Sequence, residues 1–282
     1  MSLEQAKEIS KKSKSSFYYA FNLLPAPQRD AMTTVYAFCR ETDDIVDEGS
    51  ASAEEKEHVL TNWRKELELA FNDDSHYSLL NRVAGTIKQF NIPVDPFFEL
   101  IKGMEMDLTI RRYQTFEQLR LYCYRVASTV GLMCIEIFGY KHKSAIEFAE
   151  NLGIALQLTN ILRDIKKDAE KDRIYLPLDD LKNFGYTEHD LMNSVYNERF
   201  IKLMEFQVTR AVEYFNKATA ALNKEDKGNM FAARAMQHIY FRILKNIIRE
   251  NYDIYHRDVN ISKVEKVGIS LGVWAKYRLV YG

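Results

Sequence analysis

Hydrophobic and polar positions along this 282-residue chain repeat at the three- and four-residue spacing of a helix, and no stretch alternates with the two-residue period of a strand. Residues 53–72 are typical, because Leu60, Trp63 and Leu67 share one face and charged residues fill the others. Prolines, glycines and capping residues mark the ends of further helices. The predicted helices are a short aromatic one capped by Ser15 or Ser16 and ending before Pro25, a long one ending at Gly49, and others over about 53–72, 78–90, 95–111, 115–138, 153–168, 196–224, 229–256 and 262–280. The pattern predicts an all-α fold.

One predicted helix brings carboxylates towards an apolar interior. Its polar stripe comprises Gln157, Asn160, Asp164 and Asp168, three or four residues apart, and leucines and isoleucines fill most of the flanking positions. A buried, unpaired carboxylate costs several kcal/mol, so a cation or a wet cavity must compensate it. The alternative is a solvated surface helix whose acids pair with nearby lysines, namely Lys166, Lys167 and Lys171.

A second helix carries a matching stripe, made of Tyr36, Arg40, Asp43 and Asp47 at steps of four, three and four. Two helices that each present Asp-x-x-x-Asp can oppose their carboxylates across a cavity and hold Mg²⁺ between them. Magnesium prefers octahedral oxygen ligands and usually combines one or two carboxylates with waters and phosphate oxygens. The missing ligand is therefore expected to be a diphosphate, whose oxygens Arg40 and Arg163 can bind as a fork.

Composition narrows the class of protein. With 46% hydrophobic and 28% charged residues, but only 11 Gly and 5 Pro, residues 1–282 are expected to form a single helical domain. A net charge of -1 gives no reason to expect nucleic acid as a partner. The three cysteines form no CxxC, which suits a reducing cytoplasm, and the six histidines lack the spacing of a zinc site. GxGxxG and Walker motifs are absent from the sequence.

No signal peptide is expected, because the apolar stretch that follows the first lysines is interrupted by Asn22 and no small-residue cleavage site follows it. The longest apolar run, residues 130–140, contains Glu136 and is too short to span a bilayer. The expected location is therefore the cytoplasm, with membrane association as an option.

Two further segments bear on the chemistry. In the stretch 122–131, the small residues Ala127, Ser128 and Gly131 would let a helix or a ligand approach closely. Arg173 and Tyr175 follow the second acidic stripe, where they are placed to fold over whatever the acids hold.

Five blocks, in order along the chain, resemble the squalene/phytoene synthase family, the head-to-head trans-prenyl synthases of the all-α isoprenoid synthase fold. They are the Ser16-Phe17 start, Tyr36 to Asp47, Gly103 to Asp107, Tyr122 to Gly131 and Gln157 to Pro177. The third and fourth blocks resemble the bacterial phytoene and dehydrosqualene synthase branch more than eukaryotic squalene synthases.

The resemblance implies that two prenyl diphosphates bind in one central cavity and condense through a cyclopropyl diphosphate to dehydrosqualene or phytoene. It implies metal ligation, by Mg²⁺ or alternatively Mn²⁺, at Asp43, Asp47, Asn160, Asp164 and Asp168. The expected catalytic residues are Tyr36, Arg40, Tyr122, Arg163, Arg173 and Tyr175. The expected substrate-binding residues are Ser16, Phe17, Phe21, Val126, Ala127, Gly131, Gln157, Tyr240 and Arg257. Tyr36, Tyr122 or the released diphosphate takes the final proton, and the residues do not choose among them.

No NADPH is expected, although reducing squalene synthases also lack a dinucleotide motif. The alternatives are such a squalene synthase, a prenyl diphosphate phosphatase and a non-catalytic protein that binds prenyl diphosphate or takes part in assembly. Expected partners are prenyl diphosphates, with contact to a membrane surface for product release and a downstream desaturase as options.

Chain length of the substrate depends on two positions. Phe21 follows Phe17 by one turn and is expected to wall the cavity, which favours farnesyl diphosphate. Thr33 precedes Tyr36 by three residues, and its small side chain would leave room for the longer geranylgeranyl tail. We expect the ring at Phe21 to dominate.

Overall fold

The computed structural model describes residues 21–47, 49 and 51–281, without the side chains of 278–281. The start of the predicted first helix, including Ser16 and Phe17, lies outside these residues. The helices are α1 (Ala26–Asp47), α2 (Ala53–Ala70), α3 (Ser78–Phe90), α4 (Asp95–Thr109), α5 (Phe116–Cys123), α6 (Thr129–Phe138), α7 (Ser144–Glu170), α8 (Leu178–Asn183), α9 (Glu188–Met192), α10 (Glu198–Ala221), α11 (Phe231–Arg249) and α12 (Lys263–Tyr281). A π-helical turn, Tyr124–Ser128, joins α5 to α6, and a 3₁₀ turn, Lys224–Asp226, precedes α11. The all-α prediction is confirmed.

The sequence pattern missed three local features. The helix predicted over 115–138 contains the π turn, because periodicity does not separate α from π geometry over a single turn. The helix predicted to reach residue 256 ends at Arg249, where Asn251 and Tyr252 take positive φ and the Tyr252 amide donates to Ile247 O at 2.8 Å. The short helices α8 and α9 were not predicted, because six and five residues show no clear period.

Local capping explains where several helices begin. Ser52 and Glu55 form a reciprocal capping box at α2, and Thr115 and Gln118 form another at α5. On the inner face of α2, the Trp63 indole donates to Thr42 Oγ1 at 2.9 Å, which fixes α2 on α1.

Helix α7 lies at the centre of the fold, packed against α10, the π turn, α6 and α11. The π turn is held between two glycines on neighbouring helices. A Cβ at Gly153 of α7 would lie 2.4 Å from Ser128 Cα, and one at Gly103 of α4 would lie 2.8 Å from Val126 Cγ1. The small residues Ala127 and Ser128 therefore allow α7 to approach closely, as predicted for a neighbouring helix. Ser128 Oγ also donates to Glu150 O at 2.7 Å.

Two connecting segments run side by side near the C-terminal end of α7. The Ile174 amide donates to Arg111 O at 3.0 Å, and the Leu178 amide donates to Tyr113 O at 2.9 Å. Arg112 donates to Asp172 and Glu188 from the same region. This pairing fixes the chain after the second acidic stripe and brings Tyr175 beside Tyr122.

Within the part of the chain that the structure describes, one helical stretch, Phe116–Phe138, is long and apolar enough to cross a membrane by length and composition alone. Half of its most apolar window is buried inside the protein. Core helices often have the same length and apolar composition. This stretch extends beyond residues 130–140, the apolar run identified in the sequence.

Candidate active site

An apolar cavity of about 220 Å³ lies between α1, the π turn, α6, α7 and α11. Protein interiors contain few voids larger than a water molecule, so a space this large between packed helices indicates room for a ligand. Its walls are mainly aliphatic and aromatic, and the polar side chains of Tyr36, Gln157, Asn160 and Tyr240 also line it.

Most of the predicted substrate-binding residues meet at this cavity. Those that line it are Phe21, Val126, Ala127, Gly131, Gln157 and Tyr240. Val126 and Ala127 belong to the π turn, whose backbone is wider than that of an α-helix. This turn packs closely against Gly103 of α4 and Gly153 of α7. Cys39, Cys134, Leu156 and Met236 also line the cavity, and their apolar character gave no signal in the sequence that separates them from the core.

Three predicted substrate-binding positions and Thr33 lie away from the cavity or outside the residues that the structure describes. Arg257 is exposed beyond the end of α11 and is not part of the cavity lining, so its role stays a prediction. Thr33 is buried, but its hydroxyl donates to Arg29 O at 2.8 Å and its side chain does not line the cavity. The predicted opening at Thr33 is therefore not in the cavity wall. Ser16 and Phe17 are outside the described residues.

The acidic stripe of α1 is held by its own arginine. Arg40 donates to Asp43 Oδ2 at 3.1 Å and, through Nε, to Asp44 Oδ2 at 3.1 Å. Burial, and next the charge of Asp47, raise the pKa of Asp43 to about 6, although Arg40 opposes them. The carboxylate of Asp47 lies 3.6 Å from Arg173 and 3.8 Å from Lys171.

In the stripe of α7, the Asp164 carboxylate is paired with basic side chains, whereas the charge of Asp168 is poorly compensated. Burial acts to raise the pKa of Asp164, but hydrogen bonds and charge from Arg163 and Lys167 outweigh it and lower that pKa. At Asp168, burial and the charge of Asp164 prevail over Arg173 and Lys171 and raise the pKa to about 7. The surface-helix alternative thus explains the Lys167 contact, at 3.1 Å from Asp164, but not Asp168.

Asp107 is a site residue that the sequence reasoning did not select, although it ends one of the recognised blocks. Its Oδ1 accepts from the Tyr175 hydroxyl at 2.8 Å, and its Oδ2 accepts from the Tyr122 hydroxyl at 2.9 Å. Arg173 donates to its backbone carbonyl at 3.2 Å. Burial raises the pKa of Asp107, and the charge of Asp47 adds to this. The signal that could have found it is an acid four residues after Gly103 on an otherwise apolar helix face.

Three tyrosine rings surround this carboxylate. The ring of Tyr122 lies 5.2 Å from that of Tyr175 and 5.5 Å from that of Tyr113, measured between centroids. Burial, followed by the charge of Asp107, raises the pKa of Tyr122 and of Tyr175 well above the ordinary value, so both are neutral phenols at neutral pH. The negative charge of Asp107 also contributes to raising the pKa of Asp43 and of Asp168, one in each stripe.

The residues present fit a hard divalent cation. The Oδ1 atom of Asn160 is buried and has no hydrogen-bond partner among the residues that the structure describes, and the raised pKa values of Asp43 and Asp168 mark carboxylates short of positive charge. No three Asp, Glu, His or Cys side chains among the described residues form a cage for a single metal ion. This agrees with the preference of Mg²⁺ for few protein carboxylates and several water or phosphate oxygens.

Comparison with known proteins gives consistent matches over nearly the whole chain. The family model described as squalene/phytoene synthase matches residues 10–265. A phytoene synthase of Arthrospira platensis is 36% identical over 94% of this chain and 90% of its own length, and a 15-cis-phytoene synthase of Synechocystis is 38% identical over 94% and 83%. The crystal structure of a dehydrosqualene synthase with a bound ligand superimposes with a TM-score of 0.85 at 25% identity, covering 98% of this chain and 96% of the other.

Proposed function

Because this chain belongs to the squalene/phytoene synthase family and is a prenyltransferase of the phytoene and dehydrosqualene synthase type, we propose that it condenses two molecules of farnesyl diphosphate head to head in a Mg²⁺-dependent reaction. The observation that carries the proposal is an apolar cavity that adjoins the acidic stripes of α1 and α7. Tyr36 of the first stripe and Asn160 of the second both line this cavity. Such a site holds a hydrocarbon tail at one end and a diphosphate at the other.

In the proposed first step, the C1–O bond of one substrate breaks and diphosphate leaves with the bonding electrons. Bound Mg²⁺ would neutralise the charge that develops on the leaving diphosphate. The residues that would hold the Mg²⁺ are Asp43, Asp47, Asn160, Asp164 and Asp168. Arg40, Arg163 and Arg173 border these acids and can donate to phosphate oxygens in the same role. The arginines already form ion pairs with the acids. These ion pairs must therefore open when the arginines bind diphosphate and the acids bind metal.

The allylic cation is then attacked by the double bond of the second substrate, and loss of one proton gives a cyclopropyl diphosphate. Loss of its diphosphate, rearrangement and loss of a second proton complete the conversion to dehydrosqualene. The face of Tyr36, which lines the cavity, can stabilise the cations, while the apolar walls exclude water that would capture them. Because Tyr122 and Tyr175 are neutral phenols, we favour the released diphosphate over these phenols as the proton acceptor.

Geranylgeranyl diphosphate is the second candidate substrate. Several relatives, including those of Arthrospira and Synechocystis, are named phytoene synthases, which favours the longer tail. The ring of Phe21 in the cavity wall favours the shorter one, because overpacking an apolar site costs about 1 to 3 kcal/mol.

The metal assignment is tested with Asp43→Ala and Asp164→Ala. We expect both variants to keep the helical circular dichroism spectrum and to lose Mg²⁺-dependent diphosphate release, since each removes an oxygen ligand. Asp74→Ala, an exposed aspartate after α2, is the matched control and should retain full turnover. Near-normal product from either site variant at saturating Mg²⁺ would show that the metal assignment is wrong.

Product analysis separates the remaining alternatives. Extracts from reactions with and without NADPH are analysed for hydrocarbons, alcohols and diphosphate-retaining products. We expect an unreduced hydrocarbon in both conditions. Squalene formed only with NADPH would indicate a reducing enzyme, and a C15 alcohol as the main product would indicate a phosphatase.

A further inference from the structure

The π turn, Tyr124–Ser128, forms part of the cavity wall through two adjacent residues, Val126 and Ala127. A π turn carries more residues per turn than an α-helix, so the angle between successive side chains is smaller. This geometry favours the observed arrangement, in which neighbours in the sequence line the same cavity. The position of the turn therefore affects the shape of the site.

Thr129 satisfies the backbone of this turn. Its amide donates to Tyr124 O, five residues back, which is the hydrogen-bond pattern of a π-helix. Its hydroxyl donates to Arg125 O at 2.6 Å, the carbonyl that the same amide would bond in an α-helix. These hydrogen bonds stay within the helical stretch, so they do not fix the turn against α4.

The side chain of Arg125 attaches the turn to α4. Its Nε donates to Glu99 Oε2 at 3.0 Å, and its terminal nitrogen donates to Met106 Sδ at 3.3 Å. Glu99 and Met106 lie on either side of Gly103 along α4. A Cβ at Gly103 would lie 3.0 Å from Arg125 Cβ and 2.8 Å from Val126 Cγ1. Arg125 therefore spans the point at which the turn and α4 are in closest contact.

The ion pair between Arg125 and Glu99 is partly shielded from water, since their side chains are 23% and 25% exposed. Burial acts to raise the pKa of Glu99, but hydrogen bonds from Lys102 and Arg125 outweigh it and lower that pKa. Glu99 is therefore ionised at neutral pH. Its second oxygen accepts from Lys102 at 2.6 Å, so one carboxylate holds a cation of the turn and a cation of α4. Water and salt screen such a pair less than they screen a surface pair.

We propose that Arg125 is a positioning residue for tail selection: its ion pair with Glu99 holds Val126 and Ala127 in the cavity wall and so limits the room for a longer tail. The inference rests on the proposed function, which assigns a prenyl tail to this cavity. Arg125 does not line the cavity and acts through its neighbours in the turn. Without the pair, the turn keeps its contact with Gly153 of α7 but loses its polar attachment to α4. The wall can then move outward, and a longer tail is overpacked less.

Binding of two unreactive analogues measures tail selection without turnover. They are the farnesyl and geranylgeranyl thiolodiphosphates, in which sulfur replaces the oxygen between C1 and the diphosphate, titrated calorimetrically in the presence of Mg²⁺. We expect Arg125→Met to raise the affinity for the longer analogue relative to the shorter one by about tenfold. Arg125→Lys keeps a cation that can pair with Glu99, so its ratio should stay within about threefold of wild type.

The shared carboxylate supplies matched variants. Glu99→Gln breaks the same pair from the α4 side and should shift the ratio in the same direction as Arg125→Met. Lys102→Met removes the other partner of Glu99, but Lys102 belongs to α4, so the ratio should stay within about twofold of wild type. Circular dichroism confirms that each variant is folded. Binding of inorganic diphosphate with Mg²⁺ should be unchanged in all of them, because this probe has no tail.

Three results would overturn the inference. Wild-type ratios in both Arg125→Met and Glu99→Gln, with both analogues bound by wild type, would refute the positioning role and leave the proposed function intact. An equal shift in Lys102→Met would assign the effect to the charge of Glu99 rather than to the position of the turn. Wild-type protein that binds neither analogue would refute the proposed function together with this inference.

Discussion

Asp107 shows at the scale of a single residue how burial and hydrogen bonding combine. Both carboxylate oxygens accept from tyrosine hydroxyls, and the residue is 7% exposed. Replacing it by asparagine leaves only one acceptor oxygen for the hydroxyls of Tyr122 and Tyr175 and removes a negative charge near Arg173. We therefore expect it to act as a positioning residue for Tyr122, Tyr175 and Arg173.

We expect Asp107→Asn to lower kcat by about 10- to 100-fold while KM for the prenyl diphosphate changes little, as is typical when a supporting hydrogen-bond partner is lost. Steady-state kinetics across Mg²⁺ concentrations measures this. Tyr113→Phe is the control, because the buried Tyr113 hydroxyl has no hydrogen-bond partner within the described part of the chain and its loss should leave kcat within threefold. An Asp107→Asn enzyme with wild-type kcat would contradict the positioning role.

Phe21 is the residue at which substrate length is decided in our interpretation. It lines the cavity and is 8% exposed, so its ring occupies space that a longer tail would need. We expect Phe21→Ala to shift the ratio of kcat/KM for geranylgeranyl over farnesyl diphosphate upward by at least tenfold, measured by competition in one reaction. Each extra CH₂ buried in the enlarged space contributes about 0.8 kcal/mol.

Thr33→Trp serves as the comparison. Because Thr33 does not line the cavity, the large side chain should reduce stability more than it changes the substrate ratio. A wild-type enzyme that prefers the longer substrate, with a ratio that Phe21→Ala does not move, would remove Phe21 as the gate.

At the scale of elements, the contact between α7 and the π turn is the tightest constraint. A methyl group at Gly153 would meet the backbone of Ser128 at 2.4 Å, and backbone cannot move aside as a flexible side chain can. The two elements must separate to accept it. Because Val126 and Ala127 of the turn line the cavity, this separation would change the shape of the site.

We therefore expect Gly153→Ala to lower the free energy of unfolding by about 1 to 3 kcal/mol, or more, and to reduce turnover. Urea denaturation followed by circular dichroism measures the first effect. Gly85→Ala is the matched control, since it lies inside α3 and the new methyl would meet no described atom within 4 Å apart from its chain neighbours and the backbone of its own helix. That control should be stabilised by about 0.5 to 1 kcal/mol, because alanine loses less backbone entropy in a helix than glycine. Equal behaviour of both variants would show that the close approach is not rigid.

At the scale of the whole molecule, the acidic stripes make metal-free stability depend on pH. The pKa of Asp43 is raised to about 6 and that of Asp168 to about 7, so the folded state binds their protons more tightly than the unfolded state does. Their contribution is therefore fully present near pH 4 and is lost as the pH rises through 6 and 7. The carboxylates are better tolerated protonated than charged while no metal is bound.

We expect Asp43→Asn/Asp168→Asn to be more stable than wild type at pH 8 in EDTA, by about 1 to 2 kcal/mol after solvent screening is allowed for, and to lose this advantage at pH 4. Thermal denaturation at both pH values measures the difference. Adding Mg²⁺ and inorganic diphosphate should raise the Tm of wild type but not of the variant, since only the former retains the ligands. A variant that gains no stability at pH 8 would show that these acids are already compensated without metal.

The sequence by itself determined the all-α fold and the membership of each acidic stripe. Both depend on local periodicity, because residues three and four apart on a helix share a face whatever the rest of the chain does. For the same reason it placed Tyr36, Gln157 and Asn160 at the cavity, and the resemblance added Val126 and Tyr240.

Only the tertiary structure decided which distant groups meet. Asp107 lies 15 residues from Tyr122 and 68 from Tyr175, and their contact requires the pairing of the segments at Arg111 and Ile174. The π turn, the position of Thr33 away from the cavity and the exposure of Arg257 likewise follow from packing between elements. No local spacing encodes these, because the free energy that selects them arises when the helices close around one cavity and bury their faces against one another.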